Sequence, residues 1–116
     1  MNKTIFLDID GCIFIHHGNL SEQIMKEPKV LPGTIKKLND WESDGHKIIL
    51  TTGRKEPMRQ KTEQQLLSLG IIYDQLVMGI NRGERIIIND KKPNNDMCVA
   101  RAIELERNYG IKGIDL

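Results

Sequence analysis

Apolar residues gather in short uninterrupted runs: TIFL at 4–7, KIIL at 47–50, QLVM at 75–78 and RIII at 85–88. Runs of this length without alternation read as β-strands buried on both faces. Between them the apolar positions recur at helical spacing. Ile35, Leu38 and Trp41 fall on one side of a helix that opens at Thr34, after Pro32-Gly33, and ends before Asp44-Gly45. Met58, Leu66 and Leu69 mark a second helix, from near Pro57, a favoured first-turn residue, to Gly70. A third, over about 95–108, carries Val99, Ala102 and Ile103 and stops at Gly110, and the tail IKGIDL suits a last short strand. Strands alternating with helices predict parallel strands joined by right-handed crossovers. The expectation is one α/β domain over residues 1–116: three layers, a mainly parallel sheet, helices on both faces, Rossmann-like.

In open parallel sheets, ligands bind beyond the carboxyl ends of the strands. The first run ends in Asp8 and Asp10, the second in Thr51, Thr52, Gly53 and Arg54. Gly79, Asn81 and Arg82 follow the third, and Asn89, Asp90, Lys91 and Lys92 the fourth. The polar chemistry therefore converges on one edge. Composition narrows the partners. With 17 basic and 16 acidic side chains the net charge is +1, which gives no reason to expect a nucleic-acid or membrane-surface binder. No apolar run approaches the roughly 20 residues of a membrane span, and Asp8 and Asp10 break the N-terminal apolar stretch where a signal peptide would need it. Cys12 and Cys98 lack metal-ligand spacing, so reduced thiols in a cytoplasmic protein are expected.

Asp8, Asp10 and Asp90 would meet if the first and fourth strands were neighbours. Such a cluster is tolerated only when an acid is protonated or a cation is bound. A hard cation with oxygen ligands fits, and Mg²⁺ characteristically keeps waters and completes its shell with substrate phosphate. A lone Asp-x-Asp is usually a turn or a solvated loop; an acid ending another strand gives it weight. Gly53 lets backbone approach an anion, and Thr52 can donate to a phosphoryl oxygen. As plain structure, TTGR also makes a good strand-to-helix turn with a threonine cap. Arg82 could neutralise charge on a transferring phosphoryl group. Lys91 and Lys92 share that edge, so the choice of cation stays open, while Lys55 reads as surface.

These stretches resemble the motifs of the haloacid dehalogenase superfamily of phosphohydrolases. IFLDIDGCI resembles its first motif, an apolar strand followed by Asp-x-Asp-x-Thr/Val, and KIILTTGR its second, a strand ending in Thr or Ser. Arg82 stands for the basic third motif, and IIIND resembles the fourth, a strand ending in acid. The resemblance implies that Asp8 is a nucleophile forming an aspartyl phosphate and that Asp10 is the general acid, then base. It also implies that Asp8, the carbonyl of Asp10 and Asp90 bind Mg²⁺, and that Thr52, Gly53 and Arg82 hold the phosphoryl oxygens. Cys12 departs from the usual Thr or Val, and Asn89 from the usual Asp or Gly. Asn89 and Asp96 are possible outer partners of the cation. Thr51 is the alternative to Thr52.

The family's cap domain has no room here. Between Ile13 and Ile48 lies one helix and space for a small flap at about 14–30. An open site suggests a small phosphorylated substrate such as a sugar phosphate, a phosphorylated macromolecule, or closure by a second copy of the chain. Phe14, Ile15, Leu20, Ile24 and Met25 in the flap favour a homo-oligomer, unless they fold back onto their own domain. His16 and His17 could touch substrate, though exposed flap histidines are more often bystanders. Two rivals share this edge chemistry. A receiver-like phospho-accepting module would carry adjacent acids after the first strand and an acid after the third, which MGINRG lacks. The intact Asp8 and Asp10 argue against a catalytically silent binding protein on the same fold.

Overall fold

The computed structural model describes residues 2–94 and 96–116. Strands β1 (Thr4–Asp8), β2 (Lys47–Thr51) and β3 (Gln75–Val77) are all parallel and lie in the order β1-β2-β3. Asp8 pairs with Thr51, and Thr51 with Val77. The strands thus end level, and the residues following them share one edge. This is the expected α/β fold with a parallel sheet and, among the described residues, no cap domain.

The connecting helices form where the punctuation places them. Helix α1 (Leu20–Met25) lies in the flap, and Asn19 caps it by accepting from the Glu22 amide at 2.9 Å. Helix α2 (Thr34–Ser43) starts from Gly33, whose φ of 79° favours glycine, and ends at Asp44-Gly45. A 3₁₀ turn at Glu56–Met58, opened by Pro57, leads into α3 (Arg59–Ser68). Leu38 and Trp41 of α2 and Leu66 of α3 pack with Leu7, Ile48 and Leu50 in one core. Ile35, expected inward, is instead 40% exposed.

After β1 the chain wraps tightly around one carbonyl. The amides of Cys12, Ile13 and Phe14 all donate to Ile9 O, at 3.2, 2.8 and 3.1 Å. Ile9, Ile13 and Phe14 are fully buried. The flap is closed at its base by Ile15 N–H to Lys29 O and Leu31 N–H to Ile13 O. Phe14 therefore belongs to the domain's own core, while Met25 stays exposed. Ile15, Leu20 and Ile24 are half-buried.

Three expected elements are not formed. Residues 85–88 make no strand, and Ile86 and Ile88 are 75% and 93% exposed. A strand needs a ladder partner, and here Arg85 is drawn into the preceding loop by donating to the carbonyls of Asn81 and Gly83. The segment expected as a helix over 95–108 is irregular from 96 to 106, and Asn95 itself lies outside the described residues. A short helix is marginal unless it buries a face; here Ile103 is exposed, and Asn108 takes a left-handed φ of 65°. The tail forms turns instead of a strand, anchored by the buried Ile111. On the sheet, Phe6 and Val77 are exposed where Leu7 and Leu50 are covered, so these strands alternate in burial.

This packing makes a contrast between two leucines. Leu50→Ala should destabilise the domain by about 2–5 kcal/mol through lost burial and the cavity left behind. Leu67→Gln, on the exposed side of α3, should stay within about 0.5 kcal/mol. Denaturant unfolding of both variants checks the assignment, and similar losses would contradict it.

Candidate active site

The level strand ends bring Asp8, Asp10, Thr52 and Arg54 into one cluster. Asp8 closes β1, and its Oδ1 accepts the Ile9 amide at 2.9 Å. Its residue surface is exposed, yet protein surrounds enough of the carboxyl for desolvation to raise its pKa. The Ile9 amide opposes that rise, Asp10 adds to it, and Arg85, followed by His16 when protonated, works against it. Among the described residues no ion pair holds Asp8.

Asp10 has the opposite surroundings. Arg54 forks onto it, with Nε on Oδ2 at 2.9 Å and Nη2 on Oδ1 at 2.8 Å. Gln23 of α1 adds its Nε2 on Oδ1 at 2.8 Å. The Arg54 side chain is 1% exposed and that of Asp10 14%. A guanidinium so deep in protein is tolerable only if its donors are used. Here Nη1 serves both Thr62 Oγ1 and Gln65 Oε1 of α3, at 3.1 and 2.7 Å. The guanidinium also lies 5.9 Å from the centroid of the Phe14 ring.

Arg54 is positioned by its own turn. Its amide donates to Thr52 Oγ1 at 3.1 Å, and its carbonyl accepts from Gly79 at 2.8 Å. Thr52 is buried; its hydroxyl accepts from Arg54 and keeps a hydrogen to donate. Gly53 is exposed at the rim. Cys12 is held inert, its thiol pushed up to about 11 by burial and then by Asp8 and Asp10. His16 is shifted down, by burial first and Arg107 next, with Asp10 and Asp8 opposing.

The remaining expected site residues are not brought to this cluster. Asp90 lies exposed beside Lys92, 3.6 Å away, because the strand that would carry it is not formed. Asn89 donates to the Val99 carbonyl, and Asp96 and Lys91 are exposed. Arg82 is exposed in its loop, and Arg85 is the arginine whose charge reaches Asp8. Among the described residues no three His, Cys, Asp or Glu side chains group closely enough to hold a metal. Sequence reasoning missed the parts played by Arg54, Gln23 and Arg85. Arg54 had a signal: a cation directly after a strand end, facing an acid on the neighbouring strand's loop. Gln23 had none.

No family model and no curated protein matches the sequence. Among solved structures, a chain of a Pnkp1/Rnl/Hen1 complex is similar at 25% identity and a TM-score of 0.59, over 74% of this chain and 31% of that one. A chain of the Pnkp1/Rnl/Hen1 RNA repair complex is similar at 26% identity and a TM-score of 0.59, over 72% and 28%. This chain therefore spans under a third of the length of either. A D,D-heptose 1.7-bisphosphate phosphatase from B. bronchiseptica, complexed with magnesium and phosphate, is 16% identical with a TM-score of 0.48, over 84% and 55%.

Two stability measurements follow. Arg54→Leu should cost about 3–5 kcal/mol, since it leaves Asp10 in protein without its cation. Asp8 behaves in the opposite sense. Its folded pKa is raised, so it favours folding at low pH and opposes it once pH rises through the folded pKa. Metal-free Asp8→Asn should therefore be more stable than the parent at neutral pH, and the gain should vanish below the ordinary carboxylate range. Thermal unfolding from acid to neutral pH reads both; an Asp8→Asn gain that grows on acidification would contradict the assignment.

Proposed function

We propose that this chain is a phosphatase-type hydrolase of phosphate monoesters, working through an aspartyl phosphate at Asp8. The observation that carries this reading is the unequal treatment of two neighbouring carboxylates. Asp10 is gripped by Arg54 and Gln23. Asp8 stands at the rim without an ion pair among the described residues. A nucleophile must reach phosphorus unencumbered and a proton carrier must be held in place, and the two carboxylates differ in that respect.

In this reading an Asp8 oxygen attacks phosphorus, forming the acyl phosphate as the bond to the leaving oxygen breaks. Asp10 gives that oxygen a proton. Water then attacks phosphorus, its proton returns to Asp10, and inorganic phosphate leaves with the Asp8 carboxylate restored. Thr52 and Gly53 would offer donors to the phosphoryl oxygens, with Arg85 or Arg82 as the neighbouring cation.

Mg²⁺ fits the donors at this edge, since it binds through one or two carboxylates plus water and substrate oxygens, and Asp8's surroundings disfavour its bare charge. Asp8, the Asp10 carbonyl and Asp90 would hold it, and it would supply charge neutralisation at the phosphoryl group. For Asp90 to join, residues 85–90 must lie beside β1. That strand is an edge of the sheet, and Ile86, Ile87 and Ile88 are exposed; both features favour such pairing.

For substrate, the similarity to a chain of an RNA repair complex supports a phosphorylated macromolecule beside a sugar phosphate, and lends nothing to the exclusion of nucleic acid that charge balance suggested. The open, capless edge suits either.

Turnover of an aryl phosphate should require Mg²⁺, be lost in chelator and return with the metal. Asp8→Asn should lower it by at least about 10³-fold. Asp90→Asn should raise the Mg²⁺ concentration needed for half-activity by about tenfold or more, as loss of one metal-site partner does. An unchanged Mg²⁺ response would leave Asp90 in its exposed loop. Full turnover with negligible metal would sink the mechanism, and a wild-type protein that binds Mg²⁺ without turnover would favour the silent module. A parallel panel of phosphorylated sugars and 3′- or 5′-phosphorylated oligonucleotides sorts the substrate classes.

A further inference from the structure

Gln23 is 3% exposed although it lies on the six-residue helix of a surface flap. Its carboxamide makes three hydrogen bonds. Oε1 accepts the His17 amide at 2.7 Å, and Nε2 donates both to Ile15 O and to Asp10 Oδ1, each at 2.8 Å. Because His17 N–H and Ile15 C=O fix which end of the amide is which, the group facing Asp10 is a donor.

The consequence lies in the lone pairs. A carboxylate offers about four acceptor positions, two per oxygen. At Asp10, Oδ1 takes both Arg54 Nη2 and Gln23 Nε2, whereas Oδ2 takes only Arg54 Nε. Oδ1 is filled, and the open position is on Oδ2. Arg54 alone would leave the two oxygens alike.

We propose that Gln23 is a positioning residue that occupies Oδ1 of Asp10 and so leaves Oδ2 as the oxygen that meets the reacting group. This rests on the acid/base role given to Asp10 above. Since Gln23 belongs to the flap, the contact also ties the seating of residues 15–23 to the geometry of Asp10. The flap acts on the chemistry through this amide, with no need to cover the site.

The test uses two esters. An aryl phosphate with an acidic phenol expels its leaving group without a proton, and a simple alkyl phosphate needs one. Gln23→Leu removes the amide, and Gln23→Glu keeps the length while losing the donor. Both should lower kcat/KM, which reports the steps up to departure of the leaving group, on the alkyl ester by about tenfold or more, part of the 10²–10⁴-fold that a positioned acid provides. On the aryl ester they should change kcat/KM less than about threefold. A loss equal on the two esters in both Gln23 variants, or no loss on either, overturns the inference while leaving the phosphatase reading intact. Absence of wild-type turnover on both esters overturns that reading and this inference with it.

Discussion

The buried fork of Arg54 on Asp10 is the constraint around which the site is arranged. Desolvating a guanidinium and a carboxylate costs several kcal/mol per ion, so the fold must supply every partner the pair needs. It does so from separate parts of the chain. Thr52 and Gly79 shape the turn that carries Arg54, Thr62 and Gln65 of α3 take up Nη1, and the guanidinium carbon lies over the Phe14 ring. Gln23 reaches in from the flap. The loop after β1, the turn after β2, the following helix and the flap are fastened at one point.

That fastening creates chemical asymmetry between residues only two apart. Asp10 has its charge matched and is held through both oxygens, whereas Asp8 is left at the rim with a charge that desolvation disfavours. A carboxylate held in place is suited to passing a proton at a fixed position. One that is uncomfortable as a bare charge is suited to bonding with a cation or with phosphorus. The cost of the second arrangement falls on stability, and the core of Ile9, Ile13 and Phe14 beneath the loop bears it.

Much of this was legible in the sequence. The β1–β3 runs, the glycine and proline punctuation of α2 and α3, and the convergence of Asp8, Asp10 and Thr52 all follow from periodicity and chain topology. What failed was the final third. RIII and the 95–108 segment have the right residues for a strand and a helix, but neither finds a partner surface in this structure, and tertiary packing decides such elements. Asp90 is displaced for the same reason. Gln23 was hidden more deeply, because its importance comes from one hydrogen bond across the flap, and no local pattern encodes that. Arg54 was visible as a residue but not as a role: burial of an arginine shows only when its partners are in place.

The central claim is that Asp8, and not Asp10, becomes bonded to phosphorus. Borohydride added during turnover reduces an aspartyl phosphate to homoserine, and peptide mass spectrometry locates the altered position. The account predicts homoserine at position 8 only, dependent on substrate. Turnover under the same conditions with position 8 unaltered, or with the change at position 10, would contradict it.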